Sequence, residues 1–311
     1  MSLRRKDLPR AKRPDIARLA EHLSRLREEW DGRRLDSDPL LFAHRYHAPE
    51  DREVVAFLAS SFAFGRVASI RASLEKIFGT LGPSPARFLD AYRGEPLSLK
   101  RFKHRWVTLA DLELFLLAVA RARREHGSLR NLFAACDLGE PDFVPALERF
   151  YGELAFYAAD PGRDATRGLR FLLPNPGQGS ACKRAHLFLR WVVRDGGFDL
   201  GLWRGARFAP SRLLLPMDTH VHRISTYLGL TRRKTADLAA SREATAWLRK
   251  LVPEDPVAYD WALSRLGILA ECVRERTRRH CERCAVRPVC RVSLLPDLPR
   301  PEAADAARDV A

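Results

Sequence analysis

The sequence predicts an all-α protein, and three observations lead to this fold class. Apolar residues recur at intervals of three and four in six segments: 15–29, 52–62, 66–81, 109–124, 143–158 and 180–194. There is no run of alternating β-branched residues and no Asn-Gly turn that would indicate a β-hairpin. Pro and Gly separate the predicted helices at 38–39, 82–83, 139–141, 174–179 and 196–197.

The chain has 311 residues, enough for roughly two domains of about 150 residues each. No stretch reaches the roughly 18 consecutive apolar residues that a membrane span needs. The basic segment 1–14 is not followed by the apolar run of a secretory signal. We therefore expect a cytoplasmic protein without a membrane partner.

The chain is strongly basic, with 54 Lys and Arg against 39 Asp and Glu, a net charge of +15. A surplus of this size favours a polyanionic partner, most simply nucleic acid. A bias of base composition toward Arg, Ala and Pro codons is the alternative explanation. A membrane surface is a weaker one, because no isolated basic amphipathic helix is present.

Four of the six cysteines crowd into nineteen positions with the spacing C-x8-C-x2-C-x5-C: Cys272, Cys281, Cys284 and Cys290. A C-x2-C pair brings two thiolates to one metal centre, and two further cysteines complete a four-thiolate site. The compact spacing favours a 4Fe–4S cluster over zinc, which usually takes two separate C-x2-C pairs. Disulfides are disfavoured because nothing indicates export. Cys136 and Cys182 stand alone and are predicted core residues.

The segment between the first two clustered cysteines is rich in arginine. We expect Arg276, Arg278 and Arg279 to contact phosphates, which guanidinium groups bind in a bidentate manner. The alternative is that these charges compensate the anionic thiolates or form a solvated basic face.

Residues 168–193 predict a helix, a tight turn and a second helix. Ser180 is the predicted N-cap of the second helix, whose first turn carries Lys183 and Arg184. Cations there oppose the helix dipole, so a function is plausible at this point. The amides of Gly177 and Gly179 with the two cations suit a phosphate. The alternative is that the side chains of Lys183 and Arg184 extend into water and have no function there.

Asp218 precedes the helical segment 219–230, and Asp is a favoured N-cap residue. That structural role competes with a catalytic one. His220 and His222 are two positions apart and point to different faces of a helix, so they form a poor metal pair.

Three segments together resemble the endonuclease III-like DNA glycosylases of the helix-hairpin-helix superfamily. LLPNPGQGSACKR looks like the hairpin of that family, and MDTHVHRI resembles the stretch that carries its essential aspartate. YDWALSRLGILAEC and the cysteines after it resemble the C-terminal 4Fe–4S loop, whose usual spacing is C-x6-C-x2-C-x5-C. The three occur in the order of the family, over positions 165–290, and 52–81 resembles the early barrel helices more loosely. Within the superfamily the segments look closest to an uncharacterised bacterial branch of unknown function.

This resemblance implies a two-lobed helix-hairpin-helix DNA glycosylase-like fold. A six-helix barrel lobe would span 51–215, residues 1–50 and 216–293 would form the iron–sulfur lobe, and 294–311 would be a disordered tail. The implied protein is a monomeric, nucleoid-associated base-excision repair enzyme that acts on double-stranded DNA with a damaged base. A non-catalytic DNA- or RNA-binding protein with a structural metal site is the alternative.

The resemblance also implies roles for single residues. Asp218 takes the place of the catalytic aspartate. Lys183 is either a Schiff-base nucleophile or a phosphate clamp, because bifunctional relatives place their lysine where Ala181 stands. The 35 positions between Lys183 and Asp218 are also more than usual, although archaeal 8-oxoguanine glycosylases have a similar gap. Phe64 falls near the residue that fills the gap left by a flipped base, with Arg66 steadying the strand; the alternative is a core role for Phe64.

Overall fold

The structure is a computed structural model that describes residues 15–30, 35–99, 101–159, 165–268, 272, 281–282 and 284–292. The α-helices in these ranges are α1 (Ile16–Trp30), α2 (Pro49–Ser61), α3 (Val67–Leu81), α4 (Pro85–Ala91), α5 (Leu109–His126), α6 (Leu129–Cys136), α7 (Val144–Ala158), α8 (Arg167–Leu172), α9 (Lys183–Val193), α10 (Thr219–Leu228), α11 (Leu238–Arg249) and α12 (Asp260–Ile268). Two short antiparallel ladders pair β1 (Lys103–His104) with β2 (Val107–Thr108), and β3 (Asp195–Gly196) with β4 (Asp199–Leu200).

The predicted all-α class is confirmed, and each of the six periodic segments contains a helix. The short helices α4 and α6 were not predicted, because seven or eight residues carry too few turns to show a periodicity. The two ladders were not predicted either, since a strand of two residues leaves no alternation in the sequence.

The longest described helix, α5, has 18 residues, and charged side chains such as Asp111 and Arg123 lie within it. Among the described helices, none has the length and apolarity to cross a membrane.

Two compact units make up the described chain. One comprises residues from 34 to 214, and the other comprises the described residues before 34 and after 214. The resemblance places residues 1–50 with the second unit, whereas the structure places 35–50 in the first. The reason is local: a 3₁₀ helix, Pro39–Arg45, buries Leu40 and Phe42 and packs on α2.

The unit of residues 34–214 is built around α2. Its residues from Val54 to Ala59 are fully buried, and α9, the helix predicted to be central, is buried from Ala185 to Val193. The ring of Phe57 on α2 lies within 6.3 Å, centroid to centroid, of four aromatic rings: Phe115, Phe150, Tyr151 and Phe188. This contact joins α2 to α5, α7 and α9.

One buried carboxylate joins most of these elements. Glu53 on α2 accepts hydrogen bonds from the indole of Trp203 (2.7 Å) and from the amides of Leu129 and Arg130 (3.0 Å each), which begin α6. The guanidinium of Arg123 on α5 lies 3.8 Å from it. Burial raises the pKa of Glu53, while the three hydrogen-bond donors and the positive charge of Arg123 stabilise its ionised form.

The second unit contains α1, α10, α11 and α12. Helix α12 packs on both α1 and α10, and α10 also contacts α11. Hydroxyl groups on α11 bind the backbone of Leu215 on both sides: Thr245 accepts from its amide (2.9 Å) and Ser241 donates to its carbonyl (2.7 Å). These bonds fix the chain three residues before Asp218.

Glu53→Gln is expected to lower the free energy of unfolding by about 3 kcal/mol or more, because the new amide group faces donors and Arg123 loses a buried partner. The matched control is Asp90→Asn. Asp90 also binds Arg123, but its side chain is 49% exposed, so a loss of about 1 kcal/mol or less is expected. Urea unfolding of both variants measures the difference, and equal losses would contradict the central role given to Glu53.

Candidate functional site

The predicted helix, turn and second helix are present as α8, residues 173–182 and α9. The side chain of Asn175 accepts a hydrogen bond from the amide of Gly177 (2.9 Å), which closes the turn. Gly179 has a φ of +81°, a conformation that suits glycine. The prediction that Ser180 caps α9 was wrong. The helix begins after Cys182, because the φ of +37° at Cys182 is left-handed and not that of an α-helix. The hydroxyl of Ser180 accepts a hydrogen bond from the amide of Cys182 instead.

The tip of this turn is open to solvent. Gly177, Gly179 and Ser180 are exposed, and α9 begins without a side-chain cap. Lys183 is the first residue of α9 and is half-buried. Amides at an uncapped helix start can bind an anion. Phosphate binding at this end of α9 therefore stays a prediction.

Arg184 is half-buried and is bonded to neighbouring elements of the unit. Its guanidinium donates to the carbonyl oxygens of Ser61 (2.6 Å) and Phe171. It also stacks on the rings of Phe171 (4.0 Å) and Phe64 (5.3 Å). Burial lowers the pKa of Arg184 to about 10. These contacts give Arg184 a structural role, joining α2, α8 and α9, while its phosphate contact stays a prediction.

Phe64 is half-buried and belongs to an aromatic cluster, defined here as Phe64, Trp106 and Phe171. Its ring lies 4.6 Å from that of Phe171 and 5.6 Å from that of Trp106. His104 holds the loop through its Nε2, 2.9 Å from the carbonyl oxygen of Phe64. These contacts agree with the alternative core role for Phe64. Arg66 is exposed immediately before α3.

Arg105 and Trp106 were not among the predicted site residues. Trp106 is half-buried at the turn between β1 and β2, and Arg105 beside it is exposed. The sequence does contain a signal for them, since basic and aromatic residues alternate in RFKHRW, residues 101–106. Basic residues interleaved with aromatic ones are typical of surfaces that bind nucleic acids.

Asp218 is the N-cap of α10. Its Oδ1 accepts hydrogen bonds from the amides of His220 (2.9 Å) and Val221 (2.8 Å). These two donors and the positive end of the helix dipole stabilise its negative charge. The structural role considered for Asp218 is therefore present, and it also fixes the carboxylate at the start of α10.

The two histidines after Asp218 face different surroundings. A Cβ added to Gly267 on α12 would lie 2.6 Å from the Cβ of His220, so the two helices approach closely at this point. His222 lies with its Nε2 3.0 Å from the carbonyl oxygen of Arg233. The two side chains therefore have different neighbours, as expected for residues that point to different faces of a helix.

The described part of the cysteine segment is bonded to α10. Arg223 donates to the carbonyl oxygen of Cys272, and the amide of Arg291 donates to the carbonyl oxygen of Tyr227 (2.9 Å). Backbone turns connect Cys281 with Cys284, and Arg287 with Cys290. Arg276, Arg278 and Arg279, the predicted phosphate contacts, lie outside the described residues.

All four clustered cysteines are half-buried. Burial, together with the neighbouring thiols of Cys290, Cys272 and Cys281, raises the pKa of the Cys284 thiol to about 12. The other three thiols therefore lie near Cys284, and four thiols are the donor set of a 4Fe–4S or zinc site. Across the described ranges, however, no three His, Cys, Asp or Glu side chains are arranged to hold a metal ion. The donor chemistry thus fits a cluster, but the arrangement of the side chains is not that of a formed site.

Comparison with known families gives one match. The family described as protein of unknown function (DUF2400) matches residues 38–269, about three quarters of the chain. The matched region includes the turn after α8 and Asp218, and it ends before Cys272. No curated protein and no solved structure matches the chain.

Gly267→Ala is expected to destabilise the unit that holds Asp218 by about 1–3 kcal/mol, because the new methyl group would overlap His220. Gly79→Ala is the matched control. Gly79 is also helical, but nothing lies within 4 Å of an added Cβ, so this variant should gain up to about 1 kcal/mol. Thermal unfolding of both variants measures the two shifts. A stabilising effect of Gly267→Ala would contradict the close approach of α10 and α12.

Proposed function

The chain belongs to the DUF2400 family, and we propose from its own residues that it is a DNA glycosylase that removes a damaged base from duplex DNA. The observation that carries the proposal is the organisation of α10. This helix holds a carboxylate, Asp218, at its N-terminus, and it binds the cysteine segment through Arg223 and Tyr227. The Asp218 carboxylate and the segment of the four clustered cysteines are therefore both attached to α10.

The chemistry proposed for Asp218 is electrostatic and general-base catalysis. Excision breaks the bond between the base and the sugar, and positive charge develops on the sugar as the base leaves. A carboxylate in a fixed position stabilises such a cation or takes a proton from the attacking water. The two amide bonds to Oδ1 hold Asp218 in place before the substrate arrives.

The turn between α8 and α9 is the proposed DNA backbone site. Gly177, Gly179 and Ser180 are exposed there, and the uncapped start of α9 can receive a phosphate oxygen. Lys183 at the first position of α9 adds a positive charge. A protein with this role would be found with the nucleoid.

The proposed cofactor is a 4Fe–4S cluster bound by Cys272, Cys281, Cys284 and Cys290, with zinc as the alternative. A centre bound by all four thiolates would cross-link the four cysteine positions of the segment 272–290. The bonds from Arg223 and Arg291 attach that segment to α10. Loss of the metal would therefore weaken contacts of the helix that carries Asp218.

One observation favours a second function, that of a non-catalytic nucleic-acid-binding protein on the same scaffold. The N-cap bonds account for an aspartate at position 218 without any catalysis. The net charge of +15 fits a nucleic-acid partner under either function.

Asp218→Asn separates the two functions. Asn is as good an N-cap as Asp, so the fold should be retained while the negative charge is lost. We expect base release from duplexes with oxidised, alkylated or deaminated bases to fall by about a hundredfold or more, with DNA binding preserved. Absence of base release by the folded wild-type protein on the whole panel would favour the non-catalytic function.

The role of Lys183 is tested by borohydride trapping on a duplex that the wild-type protein cleaves. A nucleophilic amine forms a covalent complex that Lys183→Ala abolishes, whereas a phosphate clamp leaves trapping absent in both proteins and weakens binding in the variant. Arg170→Ala, which removes an exposed charge from α8, is the matched control.

Anaerobically purified protein is expected to contain iron and sulfide and to show broad visible absorbance. Cys284→Ala should lose both iron and absorbance, because one of the four thiolates is missing. Cys136→Ala is the control, since Cys136 is a buried, isolated cysteine and its loss should leave the iron content unchanged. One tightly held zinc ion per chain would establish the alternative metal.

A further inference from the structure

An exposed arginine surface surrounds the aromatic cluster in the unit of residues 34–214. Arg105 lies over the ring of Trp106, 4.8 Å from its centroid, and Arg167 lies over the same ring at 5.1 Å. Both arginines are exposed, as is Arg66 nearby in the loop after α2. The arginine surface is defined here as Arg66, Arg105 and Arg167.

Two close contacts bring these arginines together. The side chain of Arg105 lies over Gly65, where an added Cβ would be 3.5 Å from its Cδ. Arg105 is thus packed against the residue next to Arg66. Trp106 is in turn packed against Phe171 on α8, with ring centroids 4.9 Å apart. The loop, the β1–β2 turn and α8 therefore meet at one place.

Asp111 fixes the β1–β2 turn beside the start of α8. Its carboxylate accepts hydrogen bonds from the amide (2.7 Å) and hydroxyl (2.8 Å) of Thr108, and from the hydroxyl of Thr166. Thr166 is the N-cap of α8 and precedes Arg167. Gly168 has room only for a hydrogen atom, because a Cβ there would lie 2.2 Å from Asp111. One buried carboxylate thus sets the distance between Trp106 and Arg167.

His104 holds the third component in place. Its Nδ1 lies 2.8 Å from the hydroxyl of Ser73, and its Nε2 lies 2.9 Å from the carbonyl oxygen of Phe64. Because a carbonyl oxygen only accepts, Nε2 is the donor of the bond to Phe64, and burial lowers the pKa of His104. The loop that carries Arg66 is therefore attached to β1.

The charges of the arginine surface are not neutralised by carboxylates. In the part of the chain that the structure describes, no Asp or Glu oxygen lies within 4.0 Å of the guanidinium groups of Arg66, Arg105 or Arg167. In contrast, buried arginines such as Arg123 and Arg190 are paired with carboxylates. A guanidinium stacked on an aromatic ring keeps its N–H groups in the plane free for phosphate oxygens.

We propose that Arg66, Arg105 and Arg167 form a binding surface for the phosphate backbone of duplex DNA, with Trp106 and Asp111 as its positioning residues. The proposal rests on the proposed function for the choice of polyanion, and it adds a contact surface separate from the turn after α8. Stacking on Trp106 restricts the two guanidinium groups before DNA binds, which lowers the entropy lost on binding.

The main test compares the double variant Arg105→Ala/Arg167→Ala with the wild-type protein on an undamaged duplex over a range of salt concentrations. Loss of two phosphate contacts should make the slope of log K against log salt shallower by about 1.8. Between 50 and 200 mM salt, the wild-type protein should thus lose about twelvefold more affinity than the variant. The control Lys76→Ala/Arg87→Ala removes two exposed charges from α3 and α4 and should leave the slope unchanged.

Trp106→Leu tests the positioning role, because it retains all three arginines. Its affinity for the duplex should fall by about tenfold as the two side chains lose their restriction, while the salt slope stays that of the wild type. Circular dichroism confirms that each variant is folded. An unchanged affinity in folded Trp106→Leu would overturn the role of Trp106.

The outcomes distinguish this surface from the catalytic proposal. If wild-type protein binds duplex DNA without releasing any base, and the double variant shows the shallower slope, the surface stands and the glycosylase activity fails. If wild-type and double variant show the same affinity and slope, or wild-type protein binds no duplex, the surface proposal is overturned. An equal loss of binding to vesicles of anionic phospholipid would also overturn it, since it would indicate general attraction to anions.

Discussion

The unit of residues 34–214 depends on the buried carboxylate of Glu53. It lies on α2, whose residues from Val54 to Ala59 are fully buried, and it binds the start of α6 and the indole of Trp203, with the guanidinium of Arg123 3.8 Å away. A buried carboxylate is costly unless its oxygens have donors, and three hydrogen-bond donors with one positive charge meet that requirement here. Because α2 ends in the loop of Arg66 and α5 begins after the β1–β2 turn, the bonds of Glu53 also set where the arginine surface forms.

In the second unit, α10 is the element that joins the others. Asp218 begins it, Gly267 of α12 packs against its first turn, and its arginine and carbonyl groups bind the cysteine segment. A helix held at several points cannot rotate without breaking these contacts. Its N-terminal carboxylate therefore has a defined direction, which is the property that catalysis by a fixed charge requires.

The excess of arginine has two different uses in this protein. Several guanidinium groups are buried or half-buried and bind carboxylates or backbone carbonyl groups, among them Arg123, Arg184, Arg190 and Arg212. Others, such as Arg105 and Arg167, are exposed and rest on an aromatic ring. Composition counts both kinds alike, so net charge predicts a polyanionic partner without indicating which arginines would contact it.

The sequence by itself determined the all-α class, the six periodic helices and the turn between α8 and α9, because helical periodicity and the punctuation by Pro and Gly are local properties of the chain. It also identified Asp218 as the residue before a helix and the four cysteines as a group. The tertiary structure alone decided that Arg184 binds the carbonyl groups of Ser61 and Phe171, that α9 begins at Lys183, and that Arg105, Trp106 and Arg167 meet. These residues are separated by up to 62 positions, from Arg105 to Arg167. Their meeting depends on the hydrogen bonds of Asp111 and on ring packing between distant segments, which leave no periodic trace in the sequence.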